Sequence, residues 1–240
     1  QTSPKHALNL SQTSPKHAKN MSLTCSKHIQ NLPQTYQKHA PNMPKTCPKR
    51  APNIPNKYGI NTLTGCLSFI NILFKNSELN STNSICEDGI NLINTKGIIK
   101  RISSQNSLFD GIDFDFSNLS IDQIIVENSL NDCIDFSSGV YLIDKSVLKK
   151  CGDKGISVGE DTSAKFKEIN VSLSNIGLAS KDSSNVFVEN SHMHNVKNCY
   201  ASYKKKQEFN GGQIKVNKSS CENFDKEIYV DNFSVIEIKN

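Results

Sequence analysis

The stretch Asp110-Gly111-Ile112-Asp113-Phe114 contains the pattern that decides the fold. A small residue is followed by an apolar, a polar and an apolar residue, and the pattern returns after 22 residues as CIDF at 133–136 and after 44 as GISV at 155–158. The apolar alternation has a period of two, which predicts strands rather than helices. A repeat at a fixed period in the twenties predicts a solenoid, because each repeat buries its apolar side by stacking on its neighbours.

Further copies of the pattern extend over most of the chain: CLSF at 66–69, GINL at 89–92, GLAS at 177–180, CYAS at 199–202 and EIYV at 227–230. One short strand per repeat, stacked in register, is typical of a parallel β-helix. We therefore predict an all-β fold, a single-stranded right-handed parallel β-helix of about eight coils with about 22 residues per coil, over residues 58–240.

The N-terminal segment differs in composition from the repeats. Residues 1–77 contain ten Lys or Arg and no Asp or Glu, and all eight prolines lie within the first 55 residues. Five 11-residue repeats fill 1–55, and they place His6, His17, His28, His39 and Arg50 at one position. We predict a disordered basic tail over 1–57. It is either an electrostatic tether to an anionic polymer or an expanded repeat without a role of its own, and so loose a chain is a poor metal site.

The polar residues of the repeat are expected on the outer face of the β-helix, where successive coils lie about 4.8 Å apart. Asp110, Asp113, Asp132 and Asp135 should then form one acidic patch. Carboxylates at that spacing repel one another, so a raised pKa, a bound cation or a basic partner is required. Calcium prefers clustered carboxylate oxygens, and Ca²⁺ is the one cofactor that the sequence suggests.

The same outer face becomes basic further along the chain, beginning at Lys154 and Lys181 and continuing in the lysine run at 204–206. The sequence offers as candidate ligand-binding residues Asp113, Asp135, Asp153, Glu160, Lys204 and Lys205.

Cysteines occupy the small-residue position of three repeats. Cys66, Cys133 and Cys199 are three coils apart in each case, or about 14 Å. A disulfide requires Cα atoms within about 7 Å, so these three cannot pair with each other. The sequence favours small buried residues that occupy a glycine position.

Successive coils also carry the motifs FDGIDF, NDCIDFSSG, GDKGISVGE and NIGLASKD. This series resembles that of the polygalacturonase-type glycosidases of the pectin-lyase-like superfamily, which runs N-T-D-G, D-D-C, G-H-G and R-I-K. The resemblance covers about 80 residues. It implies that Asp110 and Asp132 stand at two of the family's aspartates, and that Lys181 stands at the lysine of the last motif.

Three positions depart from that family. Asn131 stands where the proton-donating aspartate would be, Lys154 replaces the histidine, and Ala179 replaces the arginine. An asparagine cannot protonate a glycosidic oxygen, and an alanine cannot clamp a sugar carboxylate. The sequence therefore favours a protein without catalytic activity, and a catalytic role has as its only candidates Asp110, Asp132, Lys154 and Lys181.

The span 58–240 also resembles uncharacterised bacterial surface β-helix domains, which implies an extracytoplasmic, secreted or cell-surface setting. The sequence shows no signal peptide, no apolar run of about 20 residues for a membrane span, and no motif that implies a nucleic-acid partner.

Three hypotheses follow for the function. The first is a non-catalytic module that binds a polysaccharide or cell-envelope polymer, or presents a surface. The second is a carbohydrate-active enzyme, such as a polysaccharide lyase, an epimerase or a glycosidase-like enzyme, with Lys154 or Lys181 as the base and calcium on the acidic patch. The third is a purely structural stalk, since a fold by itself does not define a function.

Overall fold

A computed structural model describes residues 63–239, in which the regular secondary structure consists of strands. Their order is β1 (Gly65–Ile70), β2 (Leu73–Thr82), β3 (Asp88–Ile93), β4 (Lys96–Ser107), β5 (Asp110–Ser129), β6 (Ile134–Gly159), β7 (Ser163–Lys181), β8 (Asn185–Tyr203), β9 (Gln213–Val230) and β10 (Val235–Ile238). The long strands β5 to β9 each continue around corners of the coil. The strand β5 therefore pairs with β3 along one part of its length and with β4 along another.

All strand pairs are parallel, and residues about one repeat apart are neighbours across the ladder. In β5 and β6, for example, Asp113 pairs with Asp135 and Phe114 with Phe136. The chain thus winds as a parallel β-solenoid of about eight turns, with about 22 residues in each. The prediction of an all-β parallel β-helix is confirmed. The predicted tail over 1–57, with its repeating histidines, and residues 58–62 lie outside the described residues.

Apolar side chains fill the interior in columns that run along the solenoid. Ile112, Phe114, Ile134 and Phe136 are fully buried, as their positions in the repeat predict. The rings of Phe114 and Phe136 stack with their centroids 4.8 Å apart. Because burial of one such side chain contributes about 1.5–3 kcal/mol, these columns supply the main driving force for the fold.

Asparagines occupy many of the corners where the strands bend. Asn71 and Asn94 have φ angles of 56° and 50°, in the left-handed region that asparagine adopts more readily than most residues. Their side chains form a ladder, since Asn94 Nδ2 donates to Asn71 Oδ1 at 2.6 Å. At a second corner Asn128 donates to Asn106 at 2.8 Å. These ladders hold successive coils in register.

The six cysteines of the described region form three disulfides, and none of these joins two of Cys66, Cys133 and Cys199, as their spacing predicts. The bonds join Cys66 to Cys86, Cys133 to Cys151 and Cys199 to Cys221, with separations of 20, 18 and 22 residues. Cys133 and Cys199 are fully buried, as expected. The partners lie close because each separation is near one turn of the solenoid, whereas the sequence argument compared only cysteines three coils apart. Closing loops of this length contributes about 3 kcal/mol in the chain-entropy account.

Candidate functional site

The outer face that carries the predicted site residues is built from strand segments one coil apart. β3, the first residues of β5 and β6, and the last residues of β6, β7 and β8 lie side by side in parallel register. One column of this face runs from Asn91 through Asp113 and Asp135, and continues with Ser157 and Ala179. The spacing of the repeat therefore produces the predicted column, but it is less exposed than predicted, because Asn91, Ser157 and Ala179 are fully buried and Asp113 and Asp135 are half-buried.

Six aspartates gather on the coils of β3, β5 and the start of β6. We call this cluster, together with Asn91, the acid end; its carboxyl groups are those of Asp88, Asp110, Asp113, Asp115, Asp132 and Asp135. Asn91 Nδ2 donates to Asp113 Oδ2 at 2.9 Å and to Asp115 Oδ2 at 3.0 Å. Because both oxygens bond to one nitrogen, they lie within about 6 Å of each other.

Burial and mutual repulsion favour the protonated form of several carboxyl groups of the acid end. Burial is the main cause that raises the pKa of Asp88 and Asp110 to about 6 and that of Asp113 to about 9. The charges of Asp115, Asp88 and Asp135 raise the pKa of Asp113 further. At neutral pH the acid end is therefore a mixture of neutral carboxyl groups and carboxylates.

Asp110 and Asp132 link successive coils through their side chains. Asp110 Oδ1 accepts hydrogen bonds from Asn131 Nδ2 at 2.7 Å and from the backbone N–H of Asp132 at 2.8 Å. Asp132 Oδ1 accepts from the backbone N–H of Lys154 at 3.0 Å. Each carboxyl group thus caps the coil that follows it, and this role does not require catalysis.

Lys154 begins what we call the basic end, which also includes Lys181 and Tyr203. Lys154 Nζ lies 3.3 Å from Asp132 Oδ1 and contacts Asp153. Burial lowers the pKa of Lys154, but Asp132 and Asp153 outweigh burial and leave it above its ordinary value. Burial of Asp132 likewise outweighs the attraction of Lys154 and raises the pKa of Asp132 to about 7.

Lys181 reaches back along the face and bonds to residues of earlier coils. Its ammonium group donates to Ser157 Oγ at 2.8 Å and lies 3.9 Å from Asp135 Oδ1. The stem crosses Gly159, where an added Cβ would lie 2.7 Å from Lys181 Cε. Because Gly159 has no side chain, it leaves room for the stem of Lys181, whose ammonium group reaches residues of the two preceding coils.

A loop after β8 borders the basic end. The backbone N–H groups of Lys205 and Lys206 both donate to Asp182 Oδ1 at 2.7 Å. The side chain of Lys206 pairs with Glu160, and Lys204 Nζ lies 5.6 Å from the ring centroid of Phe233. The lysine run is therefore partly neutralised and occupied by its own neighbours.

The structure brings most of the predicted site residues together. The acid end contains four of them: Asp110, Asp113, Asp132 and Asp135. The basic end contains Lys154 and Lys181, and Asp153 contacts Lys154 there. Glu160, Lys204 and Lys205 lie at its border. Ala179, at the position of the family's arginine, is fully buried and offers no side chain to a ligand.

Sequence reasoning left three contributors out of the site. Asp88 stands in the column of Asp110, and Asp115 lies two residues after Asp113 in a column of its own, so the spacing of the repeat would have identified Asp88. Phe116 was missed altogether: its ring is 59% exposed directly after Asp115, and its φ angle is 50°. The corresponding position of the preceding coil is Asn94. A bulky residue in the left-handed region is unusual, and such outliers cluster at functional sites.

No group of three or more His, Cys, Asp or Glu side chains within 63–239 is arranged to hold a metal ion. The aspartates of the acid end are hydrogen-bonded to Asn91, Asn131 and backbone N–H groups instead of converging on one point. The geometry therefore does not support the calcium hypothesis, and no step of the function is derived from calcium.

Comparison with protein-family models, with curated proteins and with solved structures finds no match to this chain. In the part of the chain that the structure describes, no helix is long and apolar enough to cross a membrane. The function must therefore be argued from the site itself.

Proposed function

We propose that this protein is a non-catalytic module that binds a polysaccharide along the outer face of its β-helix. The proposal rests chiefly on the exposed ring of Phe116, which directly follows Asp115 of the acid end. An exposed aromatic ring can pack against the apolar face of a sugar, while the half-buried carboxyl groups of Asp113 and Asp115 can bond to its hydroxyl groups. The columns of the face run along the solenoid, which is the direction that a bound polymer would follow.

The residues at two positions that the polygalacturonase-type family uses for catalysis support the non-catalytic interpretation. Asn131 cannot act as an acid and is bonded to Asp110. Lys154, proposed as the base of a lyase or epimerase, has a raised pKa because Asp132 and Asp153 outweigh its burial. It therefore remains protonated at neutral pH, where a base must be free to accept a proton.

We also propose membership of the pectin-lyase-like superfamily and an extracytoplasmic location. The motif series and the parallel coils support the first. Three disulfides support the second, because disulfides persist in oxidising compartments and are rare in the cytosol. Alkylation of the native, unreduced protein followed by mass spectrometry should leave these six cysteines unmodified. Labelled thiols at those positions in protein isolated from its native source would contradict the location.

Affinity electrophoresis of the full chain through gels that contain neutral, uronate or amino-sugar polysaccharides tests the binding function. At least one polymer should retard the protein, and Phe116→Asn should weaken that retardation about tenfold, as expected for an aromatic anchor. Leu173→Asn is the matched control, because Leu173 is also exposed at a positive φ but lies on another corner. A folded protein that no polymer retards, or equal effects of the two variants, would contradict the proposal.

A further inference from the structure

Two side chains of the acid end contain buried oxygen atoms without a hydrogen-bond donor. Asp88 and Asn91 are 3% and 0% exposed, and neither Asp88 Oδ2 nor Asn91 Oδ1 has a partner. Asp135 Oδ1, in a half-buried side chain, also lacks a hydrogen bond. All three atoms are acceptors. A buried polar atom without a partner costs about 1–3 kcal/mol, so their presence in one cluster requires an explanation.

The lysines of the face do not supply the donors that Asp88 and Asn91 lack. Lys154 is paired with Asp132 and Asp153, whereas Lys181 donates to Ser157 and lies 3.9 Å from Asp135 Oδ1, which therefore has an ion-pair partner. Within residues 63–239, no ion pair reaches Asp88, Asp110, Asp113 or Asp115. The acid end therefore has an excess of acceptors and of negative charge, whereas the basic end has already matched its charges.

The two side chains that each have one oxygen without a partner, Asp88 and Asn91, both belong to the cluster. The amide of Asn91 contacts Asp113 and Asp115 directly. Asp88 pairs with Asp110 across the ladder, and its charge contributes to the raised pKa of Asp113, after burial and Asp115. Asp113, Asp115 and Asp135 are only half-buried, so a ligand can reach the cluster from solvent.

We propose that the polysaccharide bound at the acid end carries ammonium groups, as in a polymer of unacetylated amino sugars. This inference rests on the proposed binding function and specifies its ligand. An ammonium group combines three N–H donors with one positive charge, which complements the accessible carboxyl groups of Asp113 and Asp115 in a cluster that has more acceptors than donors. A polyuronate would add like charges to the same cluster and should be rejected.

The matched pair of ligands is a β-1,4-linked glucosamine oligomer and the N-acetylglucosamine oligomer of equal length, because they differ only in the ammonium group. Calorimetric titration of the full chain at pH 6 should show at least tenfold tighter binding of the glucosamine oligomer, and no binding of an oligogalacturonate. Equal binding of the two, or tighter binding of the oligogalacturonate, would overturn this inference and leave the binding function intact. A failure of every polysaccharide to bind would overturn both. Tighter binding of polylysine than of the glucosamine oligomer would overturn it in favour of a basic peptide.

Charge substitutions separate the acid end from general attraction between a cation and the protein. Asp115→Asn and Asp135→Asn should each weaken binding of the glucosamine oligomer by at least fivefold. Glu127→Gln removes the same charge from another face, where Glu127 lies near Lys149, and should leave binding unchanged. An equal loss in all three variants would show nonspecific attraction and overturn the proposal. Near-ultraviolet circular dichroism of each variant confirms that its fold is retained.

Discussion

The acid end and the basic end occupy the same columns of one β-helix face, but they differ in how their charged side chains are paired. At the basic end, Lys154 pairs with two aspartates and Lys181 bonds to Ser157. At the acid end, Asp113 and Asp115 share the amide of Asn91, and within 63–239 four of the six carboxyl groups have no cation. Both regions consist of parallel strand segments of one face, and the difference in charge pairing comes from their side chains.

This contrast distinguishes structural charges from functional ones. A buried charge is tolerated when a partner neutralises it, and removing that partner is costly. A group of buried carboxyl groups without a cation destabilises the fold. Carboxyl groups with perturbed pKa values of this kind concentrate at functional sites. We therefore assign the ligand to the acid end and a stabilising role to the basic end.

The largest expected effect comes from breaking the pairing at the basic end. Lys154→Ala should lower the free energy of unfolding by about 3 kcal/mol, because it leaves Asp132 buried without a cation. Denaturant unfolding measures this. Lys149→Ala is the control, since Lys149 and Glu127 form an exposed pair at 3.8 Å, and should cost less than about 1 kcal/mol. Equal costs would show that the two pairs contribute alike.

The second effect concerns pH and arises at the acid end. The folded-state pKa values of Asp88, Asp110, Asp132 and Asp113 lie at about 6, 6, 7 and 9, above the ordinary value of 3.8. The folded state therefore binds more protons than the unfolded state, and these groups make the protein less stable as the pH rises from about 4 to 9. We expect the free energy of unfolding to fall between pH 5 and pH 9 by at least about 1.4 kcal/mol, which is the contribution of one such carboxyl group over one pH unit. A stability that rises over this range in denaturant unfolding would contradict the account.

A smaller effect should come from removing a carboxyl group of the acid end. Asp113→Asn should raise the free energy of unfolding at pH 8 by about 1 kcal/mol, because the unfolded chain no longer gains from ionising this residue. Its amide oxygen can still accept the hydrogen bond of Asn91. Glu127→Gln, an exposed control, should change stability by less than about 0.5 kcal/mol. Destabilisation by Asp113→Asn would indicate that its carboxyl group supports the fold.

The smallest expected effect concerns the corner beside the acid end. Phe116→Asn should raise the free energy of unfolding by about 0.5–1 kcal/mol, because asparagine adopts a positive φ more readily. The melting temperature should rise slightly with it. Leu173→Asn should behave in the same way. Gained stability together with lost binding would mark Phe116 as a residue kept for its ligand. A clear loss of stability would indicate a structural role instead.

The fold could be predicted from the sequence because residues of the same type recur at a fixed spacing. Phe114 and Phe136 are 22 residues apart, and the alternation around them predicts both the strand and its inner face. The same spacing predicts that Asp113 and Asp135 are neighbours. Lys154 and Asp132 also differ by one coil, so their ion pair could have been anticipated.

Other features depend on geometry that the repeat does not encode. Lys181 reaches Ser157 across Gly159, more than one coil away, because a particular side-chain path is open. The disulfides join residues from different columns. The strained φ of Phe116 follows from the corner and not from the residue, since asparagine is the residue suited to that position.

Carbon-13 NMR titration of the aspartate carboxyl groups tests the central contrast most directly. If the acid end lacks a cationic partner, Asp113 should titrate near pH 9, and Asp88 and Asp110 near pH 6. Addition of the glucosamine oligomer should then lower these pKa values, because a bound ammonium favours the carboxylate. Titration of all three residues near pH 4 in the free protein would contradict the account.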